Sequence, residues 1–267
     1  MQRARGTLAV AVKLRDQQTV LDRFRQEGCL KARLPRPENG AWTSLVTLNS
    51  SGGIAQGDRL GTTLTAGPDT ALTVASQAAE RYYRSEPGTR AAEIRTTLTV
   101  APGAALEWLP QETILFEGCA VDRRLDISLA PDAWFLGVET LVFGRAAMGE
   151  TLHAIRLRDA IRVHRAGRLI WQDAVRLDGT GQSLLDRPAI AAGGRAVATL
   201  VHAAPGAAGA VERLRAVLAP FEAGVSAFED LLIMRIVAVD GACARAAIVA
   251  ALAALRAGRP LPRVWSC

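Results

Sequence analysis

Through most of its length this chain alternates. Leu8, Val10, Val12 and Leu14 stand two residues apart, with Lys13 and Arg15 out of phase. The same period recurs at Leu60-Thr62-Leu64, Leu72-Val74 and Ile94-Thr96-Leu98-Val100, then at Leu125-Ile127-Leu129, Ile155-Leu157 and Ile161-Val163. Successive side chains on a strand point to opposite faces, so a period of two sends one row into a core and the other out of it. Turn formers punctuate the rows at Gly67-Pro68-Asp69, Pro87-Gly88, Pro102-Gly103 and Ala166-Gly167. Many short strands separated by such turns predict a mainly β, layered architecture. The chain has 267 residues, 49% of them hydrophobic, which is enough to fill a large core. No linker, repeat or low-complexity stretch divides it, so residues 1–267 are expected to form a single domain.

Two late segments break the period. Over 207–221, Val211, Leu214, Val217 and Leu218 fall at helical spacing, with Pro220 near the end. Over 243–257 an alanine-rich stretch sets Ile248, Leu252 and Leu255 in register, with Gly258 as a stop. Between them, 231–239 reads as a buried strand. Two α-helices in the C-terminal third are therefore predicted.

The formal charge of +6 raises nucleic acid as a partner. The only lysines are Lys13 and Lys31, however, and the arginines are spread along the chain with acids between them. A nucleic-acid surface concentrates its basic residues, often beside stacking aromatics. No such block is visible, so no nucleic acid is expected, and the excess charge favours acidic protein partners instead. The longest apolar run, 246–255, is about half of a bilayer span. The basic N-terminus flanks an apolar stretch that alternates and is too short for a secretory signal. Cys29, Cys119, Cys243 and Cys267 are far apart. The expectation is a cytoplasmic protein with reduced thiols and no membrane contact.

The spacing Gly52-x4-Gly57 imitates a nucleotide loop, but Asp58 stands where that loop needs lysine, and strand-like residues follow where it needs a helix. No G-x-S-x-G elbow accompanies His153, His164 and His202, and the cysteines have no zinc spacing. The acids are more informative. Glu107, Glu112 and Glu117 sit in an apolar, aromatic run, and Glu139 and Glu150 bracket a second one. Glu107 and Glu117 are expected to face solvent on alternating strand positions. Acids in such surroundings either pair with arginines or line a polar path, a shallow metal relay through the domain. An alternative reading is a metal-dependent hydrolase using Asp58, Glu112 and His153.

Five ordered strings carry a resemblance. They are Ser51-Gly52-Gly53-Ile54-Ala55-Gln56-Gly57-Asp58, Ser76-Gln77-Ala78-Ala79-Glu80-Arg81-Tyr82-Tyr83-Arg84-Ser85, and Leu106-Glu107-Trp108-Leu109-Pro110-Gln111-Glu112-Thr113-Ile114. Gly144-Arg145-Ala146-Ala147-Met148-Gly149-Glu150 and Gly258-Arg259-Pro260-Leu261-Pro262-Arg263-Val264-Trp265 follow. Together they resemble the urease accessory protein UreD (UreH) family, with Gln56 where the family more often has glycine. The resemblance implies a coiled β structure with two helices and a non-enzymatic chaperone of urease maturation. The implied partners are the urease apoprotein and UreF, and through UreF the GTPase UreG. It also implies an internal passage for nickel in transit, with no nucleotide bound by this chain. Asp58, Glu112, Glu139 and Glu150 are the candidate path residues. Arg263 and Trp265 are candidate partner contacts, since Trp beside Arg suits an interface hot spot; the same tail could instead tuck onto its own domain.

Overall fold

The structure is a computed structural model that describes residues 3–36, 42–145 and 148–266. Ala146, Ala147 and Cys267, named above, lie outside the described residues. The chain begins with a hairpin of β1 (Arg5–Arg15) and β2 (Gln18–Gly28), then β3 (Leu30–Arg33) and β4 (Thr43–Asn49). From β4 onward it winds between two sheets. Its strands are β5 (Arg59–Ala66), β6 (Ala71–Ser76), β7 (Glu80–Tyr82), β8 (Ala92–Val100), β9 (Ala105–Leu109) and β10 (Thr113–Leu115). Next come β11 (Ala120–Leu129), β12 (Trp134–Phe143), β13 (Ile155–Arg165) and β14 (Arg168–Gly179). The last third holds α1 (Gly181–Leu185), β15 (Ala196–Ala203), α2 (Val211–Leu218), β16 (Ala223–Phe228), β17 (Leu231–Ala238) and α3 (Gly241–Leu255).

One sheet runs β14-β13-β11-β8-β5-β1-β2 and the other runs β16-β17-β15-β12-β9-β6-β4-β3, with β10 joined to β12 and β7. Chain neighbours such as β5 and β6, or β8 and β9, lie in different sheets, whereas β5 pairs with β8 and β6 with β9, both parallel. Each coil thus adds one strand to each sheet. This is the coiled β architecture expected above, with short turns such as Ala101–Gly103 making the corners.

The alternation of each strand decides its layer. Leu8, Leu64, Leu98, Ile127 and Leu157 face inward from the first sheet and meet Leu45, Leu72, Leu106 and Phe135 of the second. The second sheet is buried on both faces. Its other rows, including Leu109, Leu136, Leu200 and Met234, pack on Leu214, Ile248 and Leu252 of α2 and α3. The molecule therefore has three layers: a sheet open to solvent on one side, a central sheet, and helices. Asp240 caps α3 by accepting from the Cys243 amide at 2.8 Å. The expected helix over 207–221 is a 3-10 turn, Ala207–Ala210, followed by α2, while the five-residue α1 has no sequence signal. No helix of the described residues is long and apolar enough to cross a membrane.

Glu107 requires a correction. It does occupy the β9 position out of phase with Leu106 and Trp108, but that face is roofed by α3 and the tail, and its side chain is 0% exposed. Arg256 and Arg259 reach it at 2.8 and 3.0 Å, and the Thr73 hydroxyl donates to it at 2.7 Å. An out-of-phase position faces water only where no third layer covers the sheet.

Candidate functional site

The glycine segment closes a corner of the coil. Gly53 adopts φ +140°, and a Cβ there would stand 2.3 Å from a ring carbon of Tyr83. The Tyr83 hydroxyl donates to the Gly52 carbonyl at 2.7 Å, and Ile54 bridges to Tyr82. Two of the quoted strings therefore exist to pack on each other. Asp58 is buried and accepts from the amides of Ala4 and Ala55, both at 2.8 Å. It ties the start of β5 to the N-terminal strand.

Behind this corner a cavity of about 310 Å³ lies between the sheets. Its walls carry charge where the strand period calls for apolar groups. Arg123 stands in phase with Val121 and Leu125 on β11, and its register partner on β13 is Asp159, in phase with Leu157 and Ile161. Arg123 donates to both Asp159 carboxylate oxygens at 3.1 and 3.0 Å, to Glu139 Oε2 at 2.8 Å and to the Thr113 hydroxyl at 2.6 Å. The other oxygen of Glu139 accepts from the Trp108 indole at 2.7 Å. Burial disfavours a charged guanidinium, but Asp159 and Glu139 outweigh it and hold the Arg123 pKa above its ordinary value. Glu80, on β7, faces the same cavity and accepts from Asn49 at 3.1 Å. Burial raises its pKa above the ordinary glutamate value against that hydrogen bond. The Tyr82 phenol is likewise pushed far up by burial.

The charged row continues beyond the Arg123 bridge. Glu139 lies directly opposite Thr199, which lies opposite Arg235, and Arg235 pairs with Asp173 of the facing sheet. A void of about 10 Å³ touches Glu139, Asp159, Asp173, Thr199 and Arg235. The seam is thus polar from Asn49 and Glu80 to Asp173, with the Arg123 bridge across its middle.

Of the four expected path residues, this seam contains Glu139. Glu112 sits on the opposite side of the central sheet, 3.0 Å from Arg245. Glu150 is clamped by Arg145 at 2.8 Å and accepts from the Glu117 amide at 3.3 Å. Arg145 lowers the pKa of Glu150 by hydrogen bonding, against partial burial. Asp58, Glu112 and the exposed His153 are in separate surroundings, and no group of three His, Cys, Asp or Glu side chains able to hold a metal occurs among the described residues. In the tail, Trp265 is buried with its indole donating to the Leu109 carbonyl at 3.0 Å, while Arg263 is exposed. Gln111 donates to the Val264 carbonyl at 2.6 Å, and Arg245 stacks 4.9 Å from the Trp265 ring. The Leu106–Ile114 string therefore holds the tail with one row and the seam with the other.

Arg123, Asp159 and Glu80 escaped the sequence reading. The signal for Arg123 and Asp159 was present: each is a charge inside an in-phase apolar row, and Asp159 falls in the gap between Ile155-Leu157 and Ile161-Val163.

Comparison with known proteins identifies the family. Residues 4–266 match the family described as UreD urease accessory protein. A protein named urease accessory protein UreD from Methylobacterium sp. (strain 4-46) is 45% identical, covering 99% of this chain and 95% of its own. One of the same name from Chelativorans sp. (strain BNC1) is 43% identical over 100% and 95%. Another, from Rhodopseudomonas palustris (strain BisB5), is 43% identical over 98% and 92%. From its first described strand to its tail, the chain belongs to the UreD family of urease accessory proteins.

Proposed function

We propose that this chain serves urease maturation as a non-catalytic scaffold. It holds the urease apoprotein and, through UreF, the GTPase UreG, and it passes nickel along the seam between its sheets. The observation that supports the passage is the row of Glu80, Glu139, Asp159 and Asp173, the third buried and the others half-buried, which lines the seam with carboxylate oxygens. Nickel is retained by nitrogen and sulfur ligands. Carboxylates that already share a guanidinium bind a passing cation weakly, and weak binding is what transfer requires. Nickel here is cargo, and the nucleotide belongs to UreG.

The test is nickel per active site in urease purified from cells making its structural subunits, UreE, UreF and UreG together with this chain. Omitting the chain is expected to lower occupancy several-fold. Glu139→Gln, which preserves side-chain size, is expected to lower it while the variant keeps its melting temperature to within a few degrees. Full occupancy without the chain, in a host with no substitute, overturns the maturation role. Full occupancy with a folded Glu139→Gln chain overturns the passage alone.

A further inference from the structure

The outer face of the seven-stranded sheet is bare. Strands β1, β5, β8, β11 and β13 are mutually parallel in that sheet, and parallel sheets are ordinarily covered on both faces. In the central sheet helices supply that cover; here no element among the described residues does.

The bare face carries arginines without partners. Arg158 on β13 stands directly opposite Arg176 on β14, and both are exposed. Like charges at directly opposed positions destabilise a sheet. The acid nearest to Arg158 in register, Asp122, is taken by Arg95 at 2.8 Å. Arg124 on β11 is exposed opposite Ala160, and the Nε of Arg162 is buried without a hydrogen-bond partner. Among the described residues none of these four guanidinium groups meets a carboxylate. Ala160 and Ala174, opposite each other, leave the centre of the patch low between them.

We propose that this patch over β11, β13 and β14 docks an acidic protein segment, whose carboxylates enter above Ala160 and Ala174 and pair with Arg124, Arg158 and Arg176. Planar guanidinium forks match carboxylates in two-point contacts, which lysine cannot reproduce. The shape suits a protein segment: three strands at ~4.8 Å spacing, ten to twelve residues long, make a patch of roughly 14 by 35 Å, wide enough for one extended chain. A phosphate backbone fits less well, because it carries charge at every unit and Asp122, Asp126 and Asp178 interrupt the face, whereas a peptide can set neutral residues over them. Within the maturation reading, on which the identity of the partner rests, the acidic segment belongs to the urease apoprotein.

The test compares two double charge reversals that change net charge equally. Arg158→Glu with Arg176→Glu alters the patch; Arg187→Glu with Arg213→Glu alters exposed arginines on α2 and the loop after α1. With labelled poly-L-glutamate as probe, the patch variant is expected to raise Kd at least tenfold and the control less than twofold. Equal losses overturn the patch, and so does single-stranded DNA of matched charge binding the wild type tenfold more tightly than the peptide. Arg158→Glu alone is expected to raise the melting temperature, because it turns a repulsion into a pair; a fall refutes the frustration argument. In cells making the urease structural subunits, tagged wild type and control are expected to retain apoprotein and the patch variant to lose it. Retention by the patch variant overturns the apoprotein as the partner. Absence of retention by wild type counts against the maturation reading instead, and leaves the peptide result to decide the patch.

Discussion

Replacing Glu107 by glutamine keeps the shape of the side chain and removes its charge. Arg256 is 3% exposed and Arg259 16%, and both direct guanidinium nitrogens at the Glu107 carboxylate. Arg256 also donates to the carbonyls of Arg259 and Pro260 at 3.0 and 2.6 Å, which locks the chain beyond α3 onto β9. Leaving a buried charge uncompensated typically costs about 3–5 kcal/mol, so Glu107→Gln is expected to lose about that much at pH 7 by urea unfolding. The pH dependence has a definite sign. Burial opposes ionisation of Glu107, but the hydrogen bonds and charge of Arg256, together with Thr73 and Arg259, outweigh it and lower the pKa below 4.5. A depressed carboxylate pKa contributes stability above the unfolded-state value, and that contribution is lost as pH falls through the folded value. The gap between wild type and variant should therefore hold steady from pH 7 to about 5 and narrow below about 4.5 as wild type weakens. Replacing Glu107 and Arg256 together by Leu and Met is expected to recover part of the loss, since the more deeply buried guanidinium is gone and only Arg259, which keeps the Trp42 ring at 3.9 Å, then lacks its carboxylate. A loss under about 1 kcal/mol, the size of a surface pair, or one unchanged down to pH 3, refutes this account.

Three further outcomes follow from the geometry. Gly53→Ala drives a Cβ to 2.9 Å from the Arg81 carbonyl as well as into Tyr83 and is expected to cost about 2–3 kcal/mol. Gly52→Ala meets nothing within 4 Å at φ +77° and should cost only about 1 kcal/mol of backbone strain; equal losses in urea unfolding contradict the close-packed corner. Burial lowers the pKa of His202 despite its contact with the Phe135 carbonyl, helped by the charges of Arg165 and Arg213. The histidine therefore withdraws stability as pH falls below about 6.5, and its ring signals in an NMR titration should move at a lower pH than those of a free imidazole. Burial pushes the Cys119 thiol up to about 12, so a maleimide at pH 7.5 should label the exposed Cys243 and leave Cys119 unlabelled by mass spectrometry until the chain unfolds.

The amino-acid pattern alone determined the layers. A period of two is a local property of each strand, and it reported correctly which residues share a face and where the two late helices interrupt the strands. Five short strings were enough to place the chain in its family. The pattern could not report which faces meet or what lies over them. Glu107 and Arg256 are separated by 149 positions, yet their contact decides whether that glutamate sees water. Arg123 and Asp159 interrupt apolar rows 36 positions apart, and only the parallel pairing of β11 with β13 sets one charge against the other. The tail tryptophan has the composition of an interface residue and is turned inward by Leu109 and Arg245. Burial and electrostatics depend on distances through space, and the coil that creates those distances brings together strands whose separation in sequence carries no periodic signature.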